Sequence, residues 1–184
     1  MVDTAEIVSP LQPIQNFSAE TLLDNFTVNA VAPAILTCGL SGEMVDGARV
    51  MNFSSRAALL ILPRLSAHRM SKHALRSITR SLQLELPEHI AVSSLIPGEV
   101  GAGMQGALLL PDAEVFPLVS FFKNNVGRLI PAGIAANFIY WILLILIQQI
   151  SLGMMTGISR TQVIIKTGLI RVIRSMIPKP EDLI

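Results

Sequence analysis

Apolar residues recur along this chain in two rhythms, a helical one and a near-continuous one, and the two alternate. After Ser18, the residues Leu22, Leu23 and Phe26 recur at helical spacing, with Glu20 in the first turn. Ser18 is therefore expected to cap a helix that ends near Cys38-Gly39. Residues 48–55 form an apolar run containing Val50, Met51 and Phe53, the pattern of a strand covered on both faces. A second helix is expected from about Ala67 to Leu86, with Met70, Leu75, Ile78, Leu82 and Leu86 on its apolar side and Pro87 stopping it. A strand over 90–96 follows, then a mixed loop to about Arg128, a very apolar helix over roughly 132–150, and a last strand at Thr161–Lys166. Residues 1–17 read as a proline-containing lead-in loop, 18–166 as the domain and 167–184 as a C-terminal tail. Strand and helix in alternation imply an α/β fold, with a parallel sheet and right-handed crossovers.

Composition narrows the class. Hydrophobic residues make up 51% of the 184 and charged ones 15%, with a formal net charge of +1, so no nucleic-acid surface is indicated. Cys38 is the sole cysteine, which excludes an internal disulfide and fits a reducing compartment. Met1–Glu6 carries neither a basic segment nor an apolar one, so a cytoplasmic location is expected rather than a cleaved signal. The alternative is membrane association through 132–152: no charge falls between Arg128 and Arg160, and the stretch is long enough for a bilayer. Asn137, Gln148 and Gln149, with Gly133 and Gly153 at the ends, favour instead a buried or partner-facing helix. Tyr140 and Trp141 on it read as core or interfacial anchors. His73 and His89 have no Asp, Glu or Cys at ligand spacing, and no metal site is expected.

The polar residues at the strand ends carry the chemistry. Ser54 and Ser55 close the first predicted strand, His68 follows 13 residues after Ser55, and Lys72 comes one helical turn later. Pro97-Gly98 ends the strand over 90–96. Ligands of open parallel sheets bind beyond such carboxyl ends. Asn29 lies mid-helix, and Pro33 lacks the N–H that would bond its carbonyl.

This order and spacing resemble the short-chain dehydrogenase/reductase family, in which Ser, Tyr-x-x-x-Lys and a strand-ending Pro-Gly surround a nicotinamide. The segments Ala67–Leu75 and Ala91–Met104 look most like its small carbonyl-reductase branch. The resemblance implies interconversion of a small-molecule alcohol and carbonyl with NAD or NADP. Asn29, Ser55, His68 and Lys72 would be the catalytic set, and Lys72, Pro97 and Gly98 the cofactor contacts. Ser55 would orient the substrate oxygen, Lys72 would hold ribose, and Asn29 would complete a proton relay. His68 stands at the tyrosine position, and Lys72 beside it would keep its imidazole neutral. Ala102 stands where the family has a nicotinamide-binding Thr.

Other departures shape the remaining expectations. No Gly-rich phosphate turn occurs early in the chain; Gly98–Gly106 follows the wrong strand. Counting back from Asn29, the family's Asn-Asn-Ala-Gly would end at about Met1. These features imply the C-terminal half of the family's domain, with the nucleotide-binding half missing. The fold expected is a partial Rossmann-like (doubly wound) parallel sheet lacking the first strands. The strand over 48–55 would then expose an apolar edge and invite self-association or a partner chain. Homodimerisation through the two long helices is the further expectation from the family. The activity is expected to be weakened or lost. The alternative is a non-catalytic pseudoenzyme or interaction module acting through the exposed edge or the apolar helix.

Overall fold

A computed structural model describes residues 1–151, 161–166 and 169–174. The chain opens with a short strand β1 (Val2–Asp3), then α1 (Ala19–Phe26), a π-helical turn over Thr27–Val31, and α2 (Ala32–Leu40). Strand β2 (Arg49–Phe53), helix α3 (Ser66–Glu85) and strand β3 (Ala91–Ile96) follow, each within a residue or two of the boundaries read from periodicity. The loop region to Arg128 contains β4 (Val100–Gly101), α4 (Gly103–Leu109) and α5 (Val119–Asn125). Then come β5 (Ile130–Pro131), α6 (Ala132–Ser151), β6 (Thr161–Lys166) and β7 (Leu169–Arg174).

The main sheet has the order β1-β2-β3-β6-β7. Its first four strands are parallel, and β7 joins antiparallel to β6. The expectation of a sheet lacking its first strands is corrected here. Val2 and Asp3 pair in parallel with Met51 and Asn52, and the Met1 carbonyl accepts from the Met51 N–H at 3.0 Å. The backbone groups of β2 therefore find partners on both sides, and the bare apolar edge expected at 48–55 is not there.

Both faces of the sheet are covered, and the strand alternation decides which side chain goes where. Val50 and Val92 pack with Leu82 and Ile78 of α3 on one face. Met51 and Leu95 pack with Ile142 and Phe138 of α6 on the other. Each fully buried side chain of this size contributes about 1.5–3 kcal/mol through its removal from water. Asn52 lies on the α3 face and donates to Thr79 Oγ at 2.9 Å, a polar tie inside an apolar layer. Among the described residues no helix is long and apolar enough to cross a membrane.

Ser18 caps α1 as its sequence position predicts: its Oγ accepts from the Thr21 N–H at 3.1 Å. The π-helical turn sits where Pro33 withholds an N–H from Asn29. A third apolar cluster joins Val8, Leu11 and Leu65 to Leu108, Phe116 and Val119. It lies beyond the sheet, between the lead-in segment and helices α4 and α5, and forms one wall of the candidate site.

Candidate active site

A cavity of about 330 Å³ opens at the carboxyl ends of β2 and β3. Ser54 and Ser55 follow β2 directly, Pro97 and Gly98 follow β3, His68 stands in the first turn of α3, and all five line the cavity. Gly98 has φ +83°, a conformation that glycine adopts without the clash a Cβ would bring. Residues far apart in the chain are thus gathered at the place where open parallel sheets hold ligands.

The buried face of α3 is polar in this region. His68, Ser71 and Lys72 are buried along with Ala67 and Leu75; an apolar stripe read from Met70 and Leu75 does not reveal this, because the side chains buried here are mostly polar. His68 Nδ1 donates to the Ile7 carbonyl at 3.0 Å, which leaves Nε2 without a proton whenever the ring is neutral. The Ile7 peptide is itself held on both sides. Its N–H donates to Asn29 Oδ1 and its carbonyl accepts from Asn29 Nδ2, each at 2.8 Å. Asn29 Nδ2 also donates to Ser71 Oγ at 2.9 Å, and Ser71 donates to the His68 carbonyl at 2.9 Å. Asn29 thus acts in this structure through its side chain, positioning the group that orients His68.

Lys72 is 1% exposed, yet its charge is answered. Nζ lies 2.8 Å from Glu6 Oε2 and donates to the Phe53 carbonyl at 2.7 Å. The sequence reading missed Glu6 because it lies in a segment with no periodicity and no motif. Strand β1 ends at Asp3 beside β2, so Asp3-Thr4-Ala5-Glu6 occupies the strand end counted above as lying at about Met1. The last of these four is a carboxylate that reaches Lys72. Burial is the main reason that the His68 imidazole titrates below its ordinary range. The bond to Ile7 opposes this, Lys72 adds to it, and Glu6 offsets Lys72.

The two serines differ. Ser55 Oγ accepts from the Ala57 N–H at 3.1 Å, so its hydroxyl proton remains free to donate. Ser54 Oγ is buried and has no partner among the described residues. On the far wall Arg56 and Glu99 pair at 3.2 Å. Ala102 precedes α4 and makes no side-chain cap. Among the described residues no group of acidic, His or Cys side chains could hold a metal ion.

A parallel α/β sheet with Ser55, Lys72 and Pro97-Gly98 at the carboxyl ends of its strands keeps the arrangement that the resemblance implied, with His68 at the tyrosine position, and comparison with known proteins agrees on the family. The chain belongs to the short chain dehydrogenase family, whose sequence profile matches residues 1–111. The protein FixR of Bradyrhizobium diazoefficiens is 35% identical over 113 residues, which cover 60% of this chain and 39% of FixR. The chain spans well under half the length of the curated relatives it matches. Among solved structures, the KRED1-Pglu enzyme superposes with a TM-score of 0.70 at 21% identity, over 78% of this chain and 61% of that one. The reductase LugOII, which catalyses keto-reduction at C1 during lugdunomycin biosynthesis, gives 0.61 at 26% identity, over 77% and 55%.

These matches correct the expectation of a C-terminal fragment whose chemistry is weakened or lost. The family match begins at residue 1 and runs through β1, β2, α3 and β3. An interaction module without chemistry is not supported either.

The nicotinamide end of NAD or NADP fits the residues present. Pro97 offers an apolar face and Gly98 exposes its backbone at the strand end, while Lys72 does not line the cavity and lies buried behind Glu6, which does. The described residues address that end of the dinucleotide, and none forms a glycine turn for its pyrophosphate.

Proposed function

We propose that this chain interconverts a small-molecule alcohol and its carbonyl with NAD or NADP. The observation that supports this reading best is the single cavity lined together by Ser55, His68, Pro97 and Gly98. Bound nicotinamide would supply or accept the hydride. Pro97 and Gly98 would face the nicotinamide, and Lys72 would reach its ribose on Glu6 giving way. Ser55 would donate its hydroxyl proton to the substrate oxygen, and His68 would carry the proton that enters or leaves. Asn29 would position His68 through the Ile7 peptide. Proton transfer by a placed side chain is worth about 10²–10⁴-fold in rate.

The test is turnover by the purified chain with a panel of secondary alcohols and ketones and either cofactor, followed through nicotinamide absorbance. The expected result is turnover that falls at least about 100-fold in His68→Gln. Restoring a phenol with His68→Tyr should raise carbonyl reduction. No turnover with either cofactor, or turnover indifferent to His68→Gln, would overturn the reading.

We further propose that copies of the chain associate through α1 and α2. Leu23 of α1 and Ile35, Leu36 and Leu40 of α2 are large apolar side chains left exposed, the kind of surface that association covers. A cytoplasmic location remains part of the proposal and rests on the single cysteine.

A further inference from the structure

The cavity's polar end has a definite hydrogen-bonding polarity, set by its own residues. Ile7 can offer His68 Nδ1 nothing but a carbonyl oxygen, so Nδ1 must carry the ring proton. The carbonyl cannot turn away, because Asn29 holds both the N–H and the C=O of Ile7 and is itself bonded to Ser71. In a neutral ring Nε2 is then a bare acceptor, and His68 lines the cavity. Ser55 has the opposite character. Its oxygen already accepts from Ala57, so what it offers a ligand is an O–H.

We infer that the cavity selects an alcohol over the matching ketone, holding a hydroxyl that donates to His68 Nε2 and accepts from Ser55 Oγ. This inference rests on the proposed oxidoreduction and names its substrate side. A hydroxyl satisfies both groups at once. A ketone oxygen has no proton to give, so it can satisfy Ser55 alone and would set its lone pairs against those of Nε2. The rest of the ligand is an apolar body, because Leu60, Leu62, Leu65, Leu108, Leu118 and Phe122 line the remaining cavity. About 330 Å³ lies at the small end of ligand pockets, which suits one or two rings.

The charges around His68 keep the ring neutral near pH 7.5. Burial favours the neutral form. Lys72 on the same helix is answered by Glu6 from the lead-in segment, and Arg56 and Glu99 across the cavity answer each other. Acidification reverses the preference, because the imidazolium carries a proton on Nε2 and becomes a donor to a carbonyl.

Two measurements on the full chain test this. Long-range ¹⁵N–¹H correlation NMR at pH 7.5, with His68 identified by its absence in His68→Gln, should show the Nδ1–H tautomer; an Nε2–H tautomer overturns the inference. Binding of 1-tetralol and 1-tetralone is then compared by ligand-observed NMR without cofactor. The alcohol should bind about tenfold more tightly at pH 7.5, one to two hydrogen bonds' worth. That ratio should shrink or invert as pH falls and should vanish in His68→Gln. Equal binding, tighter ketone binding, or no binding of either probe would each overturn the inference. Neither measurement involves hydride transfer, so failure of the oxidoreduction itself would read out separately, in the turnover assay.

Discussion

Asn29 illustrates how a residue can be found for one reason and matter for another. Its backbone carbonyl drew attention because Pro33 follows at the helical interval, whereas in the structure its side-chain amide holds the Ile7 peptide and Ser71. Asn29→Ala would leave the part-buried Ile7 N–H without its partner, at about 1–3 kcal/mol, while the Ile7 carbonyl would keep only His68. A lowered midpoint in chemical denaturation should show it, and the tautomer signal of His68 should broaden or change. Asn29→Asp should also cost stability, because a carboxylate cannot donate to the Ile7 carbonyl. Ser55, His68 and Lys72 were legible in the sequence because their spacing is covalent. Glu6, whose carboxylate answers Lys72, was not, since no neighbour in the chain marks it as anything but a loop residue.

Among the elements, the long helices and central strands were readable to within a residue or two because their signals are local, whereas α4 and α5 fell within what reads as a mixed loop. Ser18 is one such signal, and Ser18→Ala should cost about 1 kcal/mol, visible as a small drop in Tm with no change in ligand binding. The sheet was harder to read. Strand β1 has two residues, too short for any alternation, and it exists because β2 offers it a row of backbone partners. The same holds for β4 and β5, two-residue strands that pair Val100 with Ile130. Helix α6 was ambiguous for the opposite reason. Its sequence is apolar nearly all round, and which side meets the sheet is decided by Phe138, Ile139 and Ile142 packing on Met51 and Leu95. Tyr140 and Trp141, expected as core or interfacial anchors, are exposed, with Trp141 stacked on Phe138 at 5.8 Å between ring centroids.

For the molecule as a whole, the buried imidazole makes stability depend on pH. The folded-state value of His68 lies below 6.5, so under mild acid the unfolded chain binds a proton that the folded chain refuses. Stability then rises with pH wherever the unfolded state holds more protons. The His68 contribution should be full above about pH 6.5, and it should be lost as pH falls from there through the folded value. Denaturation midpoints of wild type and His68→Gln across that window should converge toward low pH relative to their separation at neutrality; a constant separation would contradict the burial of His68. Association is the other property of the whole. Ile35→Glu should shift sedimentation toward a smaller species if α1 and α2 form the contact, and an unchanged distribution would remove that face from consideration. The order of elements and the run of Ser55, His68, Lys72 and Pro97-Gly98 were available from the chain itself, because periodicity and spacing are properties of neighbours. The Ile7 carbonyl that orients His68 lies 61 residues away from it, and the Asn29 amide that holds Ile7 lies 22 away. Contacts of that span leave no periodic trace, and the edge of β2, the Glu6 partner of Lys72 and the carbonyl that faces His68 were settled when folding brought the lead-in segment down onto α3.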